Sequence, residues 1–147
     1  MNARAAIPSD ARPLAAADKV SLAAEILIAY ARTRWWLWRT DLRGALAELR
    51  RPRHSHGGAG LRGADCHRAG LRLGSAVART LRVLPTDSRC LMRSLVLSAL
   101  LARRGIDARL VLGVRPGADF AAHAWVEHHG GPLLPPGNGS FQRLVEM

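Results

Sequence analysis

The run Leu95-Val96-Leu97-Ser98-Ala99-Leu100-Leu101-Ala102 constrains the fold more than any other feature of the chain. It is apolar on nearly every side of a helix, and such a helix must be covered over most of its circumference. Arg103, Arg104 and Gly105 mark its end, cations in the last turn and then glycine. Upstream, the polar stretch Pro85-Thr86-Asp87-Ser88-Arg89 gives way to apolar sequence at Cys90. The pattern predicts a central helix over 90–104, with the rest of the chain wrapped around it.

At 147 residues and 48% hydrophobic composition, the chain is sized for one domain with one core. Residues 1–12 are polar and mixed and read as a flexible N-terminus, leaving 13–147 as the domain. From Pro13 to Thr33, Leu22, Ile26, Leu27 and Tyr30 recur near the helical period. A second helical stretch runs from Trp35 to Arg51, where Pro52 stops it. Glycines dominate 52–66, which reads as a flexible connection before a catalytic core over 67–147. That core opens with a third helix, His67 to Leu84. After Gly105 the period changes to strands: Ala108 to Val114, Phe120 to His128, Leu133-Leu134 pairing back, and Phe141 to Val145. Helices first and an antiparallel sheet last make an α+β domain.

Cys90 falls at the start of the central helix, where free backbone N–H groups and the helix dipole favour a thiolate. Arg89 and Arg93 add positive potential. His123, in Ala121-Ala122-His123-Ala124-Trp125-Val126-Glu127, stands on a separate strand. A thiol at a helix start and an imidazole on a rigid strand form the usual nucleophile and base of a thiol hydrolase. Strand alternation puts His123, Trp125 and Glu127 on one face and leaves small alanines on the other, against the Cys90 helix. Trp125 is a candidate to shield the pair and touch substrate. Trp35, Trp36 and Trp38, set among arginines in a chain with only 5% aromatics, are candidate substrate or carrier anchors, although core packing suits at least two of them.

The net charge of +11 admits nucleic acid, an anionic surface or an acidic peptide as partner. The arginines are dispersed and no common nucleic-acid motif is present, which weighs against nucleic acid. His54, His56, Cys66 and His67 have ligand chemistry but no zinc spacing, so no metal or other cofactor is expected. His128-His129 reads as a solvated turn. No apolar run is long enough to cross a bilayer, no secretory signal opens the chain, and the two cysteines stand in unrelated contexts. Those features fit a cytoplasmic protein.

Taken in order, Ser88-Arg89-Cys90-Leu91, Arg103-Arg104-Gly105-Ile106-Asp107-Ala108, Gly113-Val114-Arg115 and His123-Ala124-Trp125-Val126-Glu127 resemble the leader peptidases of lasso peptide biosynthesis. That family has a transglutaminase-like core within the papain-like group. The resemblance implies a cysteine protease that removes the leader of a ribosomally made precursor, with Cys90 as nucleophile and His123 as general base and then acid. It implies a separate small leader-recognition protein and a cyclase resembling asparagine synthetase as partners. A non-catalytic leader-binding scaffold and a basic nucleic-acid-binding domain are the alternatives. In one respect the chain departs from the family, which places an Asp on the strand after the His. Here Gly131-Pro132-Leu133-Leu134-Pro135-Pro136-Gly137-Asn138 has no carboxylate. The imidazole is left with Asn138, a backbone carbonyl or no orienting group.

Overall fold

A computed structural model describes residues 16–51, 63–84, 89–117, 120–137 and 141–147. Four helices precede a four-stranded sheet: α1 (Ala16–Arg39), α2 (Leu42–Arg50), α3 (Gly63–Thr80) with a 3₁₀ turn at Leu81–Val83, α4 (Arg89–Arg103), β1 (Arg109–Arg115), β2 (Ala121–His128), β3 (Gly131–Pro132) and β4 (Gln142–Glu146). The class is α+β.

α4 is the axis of the fold. Leu95, Val96, Leu97, Leu100 and Leu101 are fully buried, because the other three helices pack around α4 while its remaining side lies on β1 and β2. The sheet is antiparallel in the order β3-β2-β1-β4. Leu110 pairs with Val126, Leu112 with Ala124 and Gly113 with His123, so Leu110, Leu112, Ala124 and Val126 share one face. Leu112 and Ala124 line a groove together with Cys90 and Leu91 of α4. The β1–β4 pairing shifts register between Leu112 and Gly113.

Two arginine clasps fix the helices to this centre. Arg104, at the end of α4, holds Glu25 of α1 with bonds of 2.7 and 3.1 Å. Arg50, at the end of α2, donates to the carbonyls of Ala108 (2.8 Å) and Met147 (3.1 Å). Burial lowers the pKa of that guanidinium, against the pull of Asp107.

Three local expectations are corrected. The helix break expected between Thr33 and Trp35 falls instead at Thr40-Asp41. Nothing at residues 33–35 stops a helix, whereas the Asp41 carboxylate caps α2 by accepting from Gly44 N at 2.9 Å. α3 begins at Gly63, inside the expected connection, so Cys66 packs against the core. His128 is 5% exposed, not solvated. Its Nδ1 lies 2.6 Å from the Asp107 carbonyl, and the ring stacks on His67 of α3.

Candidate active site

Cys90 is the second residue of α4, in the turn whose amides lack intrahelical partners. It is a free, half-buried thiol. Beside it lies a groove of about 600 Å³. Arg89, Cys90 and Leu91 form the helix side of this groove, and Leu112, Gly113, Val114, Ala122, His123 and Ala124 form the sheet side, with Leu42 and Leu144 at its margins. Cys90 and His123 thus line one apolar groove from two separate elements.

The imidazole is held in place. Its Nε2 stands 2.9 Å from the Pro135 carbonyl oxygen. A carbonyl only accepts, so Nε2 carries the proton in this bond, and in the neutral ring Nδ1 keeps the lone pair. The Trp125 ring lies at 6.0 Å and 22°, and the Phe141 ring at 5.2 Å. Trp125 is in turn fixed by donating from Nε1 to Glu127 Oε1 at 2.8 Å. The same oxygen accepts from Arg143 at 2.8 Å, and Arg143 reaches Glu146 at 2.7 Å. Arg143 holds the Glu146 carboxyl below its ordinary pKa, and that bond raises the pKa of Arg143 itself. Gly113 makes room for the indole, since a Cβ there would stand 2.8 Å from the Trp125 ring.

The other expected site residues fall elsewhere. Trp125 is 3% exposed and lies beside the imidazole, so it supports His123 and offers substrate little surface. Trp35 (50% exposed) and Trp38 (78% exposed) stand on the outside of α1, and only Trp36 packs against the core. The expectation that at least two of the three are core residues is therefore corrected. None of them is among the groove's lining residues. Asn138, His54 and His56 lie outside the described residues. Among the described residues no three His, Cys, Asp or Glu side chains are grouped to hold a metal, and no helix is long and apolar enough to cross a membrane.

Sequence reasoning places Trp125 beside His123 but misses Phe141 and the specific carbonyl that holds the ring. A main-chain oxygen has no side-chain signature. Phe141, just before β4 and separated from β2 by β1, has a signal only once β4 is placed beside β1.

A family model described as the transglutaminase-like superfamily matches residues 21–146, from α1 through β4. No curated protein matches the chain, and no solved structure does. Cysteine peptidase activity is frequent in this superfamily, and the matched span includes both Cys90 and His123. On the extent of that match and the helices-then-sheet order, the chain belongs to the transglutaminase-like superfamily.

Proposed function

We propose that the chain is a cysteine peptidase that removes the leader of a ribosomally made lasso precursor before a partner cyclase closes the ring. The observation that supports the chemistry is the shared groove: Cys90 of α4 and His123 of β2 both line it, with the imidazole anchored through Nε2. The order and spacing of the sequence motifs support the substrate.

In this reading the Cys90 Sγ attacks the carbonyl of the last leader residue, and its proton passes to Nδ1 of His123. The backbone N–H of Cys90, with a second donor, stabilises the oxyanion. Collapse breaks the C–N bond, and the core peptide leaves as an amine carrying the proton from His123. Water, deprotonated by the same imidazole, then hydrolyses the leader thioester and restores the thiol. The apolar walls formed by Leu91, Leu112, Val114 and Leu144 keep bulk water from the thioester until the core has left. A separate small recognition protein presents the leader. Cys66 and Cys90 form no disulfide, which fits work in a reducing cytoplasm.

Mass spectrometry of precursor incubated with the protein and its recognition partner tests the proposal. Separate leader and core masses support it. Intact precursor that co-purifies with the protein would instead identify a leader-binding scaffold.

A further inference from the structure

α1 is apolar on two faces, and only one of them is covered. Ile26, Ala29 and Thr33 point inward and are buried. On the opposite side Val20 is 70% exposed, Leu27 44%, Ile28 58%, Trp35 50% and Trp38 78%. At 100° per residue these five fall within an arc of about 100°, the width of a packing face. The remaining positions in that arc are Ala17, Ala24 and Ala31, all exposed and spaced seven apart. No polar residue interrupts the arc. A soluble domain seldom leaves such a continuous apolar face without a partner.

The shape of the face selects a helix. Positions 17, 20, 24, 27 and 31 follow the alternating three- and four-residue steps of a heptad seam; Arg34 takes the next step, at the border of the arc, and Trp38 lies one heptad beyond Ala31. Alanines at every seventh residue leave hollows between Val20, Leu27 and the tryptophans, so a second helix can approach closely. The charge selects the partner. Arg34, which donates to the Tyr30 hydroxyl, borders one side of the arc, and Arg39, over the Trp35 ring at 4.3 Å, borders the other. The acids of α1 lie elsewhere: Glu25 is turned to Arg103 and Arg104, and Asp18 is on the far side from the arc. A second copy packed in parallel would set Arg34 and Arg39 against their own counterparts, and in either orientation it would bring together two chains of net charge +11.

We propose that the outer face of α1 docks a helix of a partner protein whose apolar heptad seam is flanked by acidic side chains. The site is independent of the thiol chemistry and stands whether or not the chain cuts a leader.

The probe is a synthetic three-heptad helix with Leu and Ala in the seam and Glu on its flanks, compared with the same peptide carrying Lys. Binding to the full chain is read by sedimentation and by the blue shift of tryptophan fluorescence. The Glu peptide is expected to bind about tenfold more tightly than the Lys peptide. Ala24→Arg and Ala31→Arg, both at exposed positions, should abolish binding without loss of thermal stability. Arg34→Glu with Arg39→Glu should reverse the peptide preference. Equal affinity for the two peptides, or no binding of either, overturns the proposal. So does a face that takes up phosphatidylglycerol vesicles but neither peptide, or one that self-associates through α1.

Discussion

Replacing Gly74 by Ala inverts an ordinary rule. In the interior of a helix, Gly→Ala stabilises by about 0.8–1 kcal/mol. Gly74 lies inside α3, yet a Cβ there would stand 2.5 Å from the Leu133 carbonyl oxygen, about 0.9 Å short of ordinary contact. The neighbour is backbone and cannot rotate away, so either α3 or the segment after β3 must shift. Overpacking of this kind costs about 1–3 kcal/mol, and a backbone obstacle belongs at or above the upper end. The net result is a loss of about 2 kcal/mol, or a fall in Tm of roughly 4–8 °C. Gly63→Ala supplies the control, being on the same helix with nothing within 4 Å of its Cβ. It should be neutral or stabilise by up to about 1 kcal/mol. Urea and thermal melts of the two variants give the comparison. Leu133 is two residues before Pro135, whose carbonyl holds His123. Gly74→Ala should therefore also slow leader removal well below its Tm. A Gly74→Ala protein as stable as Gly63→Ala would refute the close packing of α3 on this segment.

Further outcomes follow from the same geometry. Cys90→Ala should abolish leader removal with the fold intact, whereas Cys66→Ala should keep cleavage and lose at most about 1 kcal/mol of stability, as urea melts would show. If the Pro135 carbonyl suffices to orient His123, Asn138→Ala cleaves at nearly the wild-type rate. A sharp fall, with activity kept in Asn138→Asp, would make Asn138 the orienting group. Glu127→Gln should weaken the Trp125 and Arg143 contacts together and lower both Tm and cleavage rate. Glu146 has a lowered folded pKa through Arg143, so its contribution is complete above the ordinary value of about 4.5 and is lost as pH falls through the folded value. Tm against pH should consequently be flatter on the acid side for Glu146→Gln.

Much of this arrangement is legible in the residues, for identifiable reasons. The all-round apolar run predicts a buried α4, and its boundaries agree within a residue because Gly105, at φ 67°, terminates it. β1 and β2 were readable from alternation and from the turn at Pro116-Gly117. The break between α1 and α2 is hard to place because the tryptophans resemble the start of a new helix, while the deciding signal is the single Asp41 cap. His128 looked solvated because the glycines after it suggest a turn, and only the tertiary approach of His67 and Asp107 buries it. The exposure of Trp35 and Trp38 was not readable from a helix that is apolar on both faces, since periodicity cannot say which face the domain covers.

The central claim is that Cys90 is the nucleophile and that His123 activates it. A leader fragment ending in a chloromethyl ketone, added with and without the recognition partner, tests this directly through intact mass and peptide mapping. One leader adduct on Cys90, formed far more slowly in His123→Ala, is the predicted result. An adduct on Cys66, no adduct on Cys90 under either condition, or an unchanged rate in His123→Ala would contradict it.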